Sequence, residues 1–152
     1  MPTLYEHAGG WEALRRFAER FYHRCLAEPV LQPLFGSEQP GHVERFAAFH
    51  AETFGGPARF TREMGGFAHL IAAHRGYKIT EEQRQRFVAL YLETADEVGL
   101  PADGPFREAL RSHVEFGSRV AMQNSNATTD AELHPLRAVP RWDWPRGDGG
   151  SA

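Results

Sequence analysis

His74-Arg75-Gly76-Tyr77-Lys78-Ile79 is the stretch on which the reading turns. It closes an apolar segment, Phe67 to His74, in which Phe67, Leu70, Ile71 and His74 keep helical register. The spacing predicts a helix with an imidazole on its apolar face at the last turn. Gly76 interrupts that helix, and Tyr77, Lys78 and Ile79 read as a short extended link.

Working outward, Thr80-Glu81-Glu82-Gln83 reads as an N-cap with acidic residues in the first turn. The long helix after it carries Phe87, Val88, Tyr91, Leu92, Ala95 and Val98, and Gly99 and Pro101 end it. The last helix starts near Gly104-Pro105 and runs to about Met122, burying Phe106, Leu110, Val114, Gly117 and Val120. Upstream, a helix from His42 to Phe54 puts His42, Phe46, Phe49, His50 and Thr53 on one face, and Gly55-Gly56-Pro57 ends it. The first long helix spans Trp11 to Leu26, with Leu14, Phe17, Phe21 and Cys25 on its apolar face and Ala18 and Tyr22 beside them. Val30, Leu31, Leu34 and Phe35 form an apolar knot between these two helices. No segment alternates like a strand. The fold class is all-α, with five or six helices over residues 1–126. An irregular tail follows over 127–152, holding Trp142 and Trp144, and its last six residues are expected to be disordered.

The chain has 152 residues, 17 Lys plus Arg against 20 Asp plus Glu, and a formal net charge of -3. That balance gives no electrostatic reason to expect nucleic acid. No apolar run reaches the ~20 residues of a membrane span, and Met1 to Glu6 lacks a basic start and an apolar signal core. A cytoplasmic protein is the expectation. The single cysteine, Cys25, excludes an intramolecular disulfide and Cys-rich zinc sites, and reads as a small buried hydrophobe.

Eight histidines and eleven phenylalanines ask for a use. No H-E-x-x-H occurs, and His42 and His50 stand eight residues apart, ~12 Å along a helix and too far to share one ion. No Glu-x-x-His pair suits a di-iron bundle. A G-x-S-x-G elbow, a P-loop and a dinucleotide fingerprint are also missing. What remains is a different use of histidine; a haem, for one, needs an axial histidine on a helix, aromatic walls and a polar handle on the other side.

On that footing the sequence resembles a group II (O-type) truncated haemoglobin. The likeness runs from Leu4 to Asn124. It is carried by Leu4-Tyr5, Gly9-Gly10, Arg20-Phe21-Tyr22, Phe35, Phe54-Gly55-Gly56-Pro57 and the stretch from His74 to Ile79. The resemblance implies a two-over-two helical sandwich around haem b. It implies His74 as the proximal iron ligand and Tyr22 as a distal donor to a bound diatomic ligand. Phe35, Phe46, Phe49, Leu70, Tyr77, Ile79 and Phe87 would line the pocket. His42 falls at the gate of the distal helix, where it either approaches the ligand or faces solvent. Arg45 either pairs with a haem propionate or is a plain surface arginine. Two departures stand out: Phe35 replaces a frequent tyrosine, and Phe87 replaces the usual tryptophan. Neither phenylalanine can donate a hydrogen bond. The distal network is therefore expected to shift from the last helices to the distal helix.

The resemblance implies reversible binding of dioxygen and other small diatomic ligands, in transport or storage. Nitric oxide dioxygenation or peroxide reduction would require a reductase acting in trans, since no flavin or nicotinamide domain is fused. The rival readings are a haem-based sensor signalling through the tail and a haem-free domain binding a hydrophobic ligand. A homodimer is left open.

Overall fold

The computed structural model describes residues 1–146, and all its regular elements are helical. Eight α-helices occur among the described residues: α1 (Leu4–Ala8), α2 (Gly10–Ala27), α3 (Gln32–Phe35), α4 (His42–Thr53), α5 (Arg59–Glu63), α6 (Gly66–His74), α7 (Glu81–Glu97) and α8 (Gly104–Asn126). A 3-10 turn at Asp130–Glu132 follows. The count exceeds the expected five or six because α1, α3 and α5 have only 4 or 5 residues. So short a helix shows no repeating stripe and draws its stability from packing. The last helix also runs past Met122 to Asn126.

The ends of the long helices follow from local chemistry. Thr80 Oγ1 accepts from the Gln83 N–H at 3.1 Å, and the Gln83 side chain accepts from the Thr80 N–H at 2.9 Å. This reciprocal capping satisfies two of the donors a helix start leaves open. Asp103 caps α8 by accepting from the Phe106 N–H at 3.1 Å, and its other oxygen lies 2.7 Å from His7 Nε2, which ties α8 to α1. Gly9, at φ 110°, ends α1 and starts α2 in the left-handed region that costs glycine nothing. Gly56 is needed for a different reason. A Cβ there would stand 2.7 Å from Tyr5 Cδ1 and 2.8 Å from the Ala51 carbonyl.

Two helical pairs form the layers: α2 packs on α4, α7 packs on α8, and α2 also packs on α7. This is the two-over-two arrangement. The shorter α6 lies on α8, and α5 bridges α4 and α6. Aromatic side chains fill the α2–α7 seam. Phe17 meets Tyr91 edge-on at 4.9 Å between centroids, and Phe21 meets Phe87 edge-on at 5.0 Å. Such pairs contribute about 0.5–1.5 kcal/mol each beyond the area they bury. Cys25 is fully buried on the same face, and burial pushes its thiol up, so it stays protonated.

After α8 the chain turns back over the helices. The Trp142 N–H donates to the Thr53 carbonyl at 2.8 Å, and its indole Nε1–H donates to Ser112 Oγ at 3.1 Å. The Trp144 indole donates to the Pro2 carbonyl at 2.9 Å, beside the N-terminus. The disorder expected of the last six residues concerns 147–152, outside the described residues. Among the described residues no helix is long and apolar enough to cross a membrane.

Candidate functional site

A cavity of about 250 Å³ opens between α4, α6, α7 and α8. Helical register builds its walls. From α4 come His42, Arg45, Phe46, Phe49 and His50; α6 supplies Leu70 and His74; Phe35 and Phe87 close it from α3 and α7. The lining is mostly apolar, and His42, His50, His74 and His113 within it are desolvated.

His74 sits in the last turn of α6, with its Nδ1 2.9 Å from the Leu70 carbonyl. A carbonyl only accepts, so Nδ1 carries the proton and Nε2 keeps its lone pair. Burial lowers the basicity of His74, outweighing the Leu70 bond, and so favours this neutral form. A neutral imidazole tied through one nitrogen and free at the other is the donor a haem iron takes. Flat apolar walls stand beside it, and these residues fit haem.

His42 stands at the first position of α4 and faces the same cavity. Burial is the main cause of its pKa falling to about 4, helped by the Arg45 charge and by His74. It is therefore neutral at pH 7. Its ring stacks on Tyr22 at 4.2 Å and 17°. Along α4 the stack continues through Phe46, 6.5 Å from His42 at 18°, to His50, 4.2 Å from Phe46 at 29°. A ladder of rings thus runs along α4 from His42 to His50.

Tyr22, buried on α2, lies behind His42 and outside the cavity lining. Its hydroxyl accepts from the Gln39 N–H at 2.7 Å, which leaves its own proton available to donate. Tyr77 and Ile79 also lie outside the lining, and Tyr77 is 54% exposed. The reason is local. The N–H groups of Gly76 and Lys78 both donate to the Ser125 carbonyl, and the Ile79 N–H donates to Ser125 Oγ. With Gly76 at φ 93° and Lys78 at φ 54°, this stitching to the end of α8 turns Tyr77 outward.

The structure adds residues that the sequence reading left without a role. His50 and His113 both line the cavity and are fully buried, with ring centroids 5.2 Å apart. Burial lowers His50 to about 4 and His113 well below its usual value. Phe60, Phe67 and Phe116 extend the walls, and Leu136 and Pro140 bring the tail into them. A signal for His113 existed: it follows Leu110 by three and precedes Gly117 by four, in register with the apolar stripe.

Comparison with known proteins places this geometry. The family model described as bacterial-like globin matches residues 3–124. The group 2 truncated hemoglobin YjbI of Bacillus subtilis (strain 168) is 30% identical over 118 residues, spanning 78% of this chain and 87% of that one. The solved structure of a truncated oxygen-avid haemoglobin from Bacillus subtilis superposes with a TM-score of 0.68 at 30% identity, covering 78% of this chain and 97% of that one. A thermostable hemoglobin from the actinobacterium Thermobifida fusca gives 0.69 at 29% identity, over 84% and 100% of the two chains.

Proposed function

Because the chain belongs to the bacterial-like globin family, on its group II truncated-haemoglobin branch, we propose that it binds haem b through His74 and takes up dioxygen and other diatomic ligands reversibly. The observation that carries the reading is the His74 imidazole, fixed at Nδ1 by the Leu70 carbonyl with Nε2 left to ligate in an apolar cavity. Haem supplies an iron atom to which a small diatomic ligand binds. The chain's own residues orient and shield that ligand. Phe35, Phe46, Phe49, Leu70 and Phe87 exclude water from the cavity and pack the macrocycle. Arg45, at the start of α4 beside His42, supplies the positive charge for a propionate.

Neutral His42 lines the cavity and would supply an N–H donor to a diatomic ligand held there. Tyr22, stacked behind it, holds the His42 ring in place, and its hydroxyl keeps a proton to donate. Turnover of nitric oxide or peroxide in the same pocket would draw electrons from a separate reductase. The name of the Bacillus subtilis relative, oxygen-avid, agrees with a pocket that keeps distal donors.

Absorption spectroscopy tests the reading. The purified chain should show a Soret band that shifts on reduction and again with carbon monoxide. His74→Ala should lose the band or move it, and added imidazole should restore it. A chain without a Soret band after haem reconstitution, or one whose ferrous carbon monoxide spectrum is unaltered in His74→Ala, refutes the assignment.

A sensor reading has one observation in its favour: Trp142 of the tail packs on His113, a wall of the cavity, at 5.4 Å. Ligand entry could then displace the tail. Equal tryptophan fluorescence with and without carbon monoxide would count against it.

A further inference from the structure

Four buried side-chain polar atoms have no hydrogen-bond partner among the described residues: His50 Nε2, Thr53 Oγ1, Tyr91 Oη and His113 Nδ1. All four fall in one neighbourhood between α4, α7 and α8. The His50 ring lies 5.6 Å from that of Tyr91 and 5.2 Å from that of His113. Thr53 follows His50 by one turn on the same helix face. One orphan is a local accident; four together in an otherwise apolar core make a site.

The chemistry of the four atoms defines the guest. His50 Nδ1 lies 3.0 Å from the Phe46 carbonyl, so Nδ1 bears the proton and Nε2 can only accept. Thr53 and Tyr91 bring hydroxyls that both donate and accept. No carboxylate or lysine is among the four, and both histidines are neutral. A cation finds no counter-charge here, and an anion would meet the His50 lone pair. A diatomic gas cannot donate to His50. The guest must be small, neutral, and able both to donate and to accept. We propose that this nest binds ordered water, held by His50, Thr53, Tyr91 and His113 and sealed from solvent by Trp142.

The seal is visible. The Trp142 ring packs on His113 at 5.4 Å, and its backbone N–H is bonded to the carbonyl of Thr53 itself. On the inner side the nest adjoins the cavity, since His50, Tyr91 and His113 line both. The water so held lies one ring, Phe46, from His42. It is ordered water behind the distal wall, separated from His42 by the Phe46 ring, in a chain whose Phe87 offers no donor. The water site does not depend on the haem assignment. Its place behind a distal wall does.

Oxygen-17 magnetic relaxation dispersion on the full chain counts long-lived internal waters and tests the site directly. Thr53→Val with Tyr91→Phe keeps shape and removes both hydroxyls, and should lower the count by at least one. An unchanged count in a variant with native circular dichroism overturns the proposal, as does a count of zero in the unaltered chain. Trp142→Ala tests the seal by a separate readout. Acylation of His50 and His113 by diethyl pyrocarbonate, located by mass spectrometry, should accelerate at least tenfold while the half-exposed His23 is unaffected. Equal rates in both proteins remove Trp142 from the site. Neither measurement requires haem, so a haem-free chain that passes both keeps the water site and loses only its distal place.

Discussion

At the level of single residues, the proposed function assigns His42 and Tyr22 different distal roles according to the order of their rings. His42 lines the cavity and Tyr22 stands behind it, its hydroxyl already bonded to the Gln39 N–H at 2.7 Å. Removing the nearer donor should matter more. A charge-assisted hydrogen bond contributes about 1.5–3 kcal/mol, roughly ten- to a hundredfold in a dissociation rate. His42→Ala is therefore expected to speed dioxygen release by at least tenfold, and Tyr22→Phe by less, in stopped-flow measurements. If neither variant alters the rate, the distal helix does not hold the ligand. The reverse substitution is as informative. Phe87→Trp puts an indole N–H at a cavity wall 5.0 Å from Phe21, and should slow release. Much at this scale was legible: register puts Phe46, Phe49 and His74 on apolar helix faces, and the family resemblance supplied the pocket they would line. Tyr77 did not, because its direction depends on Lys78 at φ 54°, a conformation that composition does not announce for lysine.

Whole helices raise a different question, because α4 and α8 bury two imidazoles against each other. Unfolded histidine takes up a proton near pH 6.5, whereas folded His50 does so only near 4, and burial also holds His113 well below its usual value. Below pH 6.5 the unfolded chain binds more protons than the folded one. Stability is thus fully present above pH 6.5 and lost as pH falls towards 4, by up to ~1.4 kcal/mol per pH unit for each histidine. Urea unfolding at pH 7.5, 6 and 5 should show that slope, and His50→Leu should flatten it. Equal midpoints across the range would mean that the pair is solvated. Another helix-level prediction concerns the turn after α4. Gly56→Ala drives a methyl into Tyr5 and, less forgivingly, into the Ala51 carbonyl, a backbone atom that cannot rotate away. A loss of about 1–3 kcal/mol is expected in the same assay. The Gly-Gly-Pro stop was readable in the sequence. That one glycine serves close approach rather than a turn was not, because Tyr5 comes from α1, about fifty residues earlier in the chain. The same holds for α1, α3 and α5, whose few residues carry no period to read.

Across the whole molecule, the tail is the part that sequence described least, since Pro- and Gly-rich chain has no period and its seat is set by its partners. Trp142 reaches the carbonyl of Thr53 and Trp144 that of Pro2, so the segment after α8 binds the end of α4 to the N-terminus. Trp144 also meets His7 edge-on at 4.9 Å, next to the Asp103 cap of α8. The globin family match covers residues 3–124, and 127–146 lie over it as a strap. Both indoles are half-buried, and together they contribute roughly 3 kcal/mol. In a domain of this size that corresponds to a melting temperature lower by ~6–12 °C. A chain ending at Asn126 should melt that much earlier. Trp142→Ala and Trp144→Ala should each reproduce part of the loss. Their effects should add, because one indole rests on His113 in the middle of α8 and the other on His7 of α1, with no shared ring partner between the two contacts. Coincident melting curves for the full and shortened chains would show that the strap contributes nothing to the fold. A loss confined to Trp142→Ala would show that only the contact beside the cavity matters.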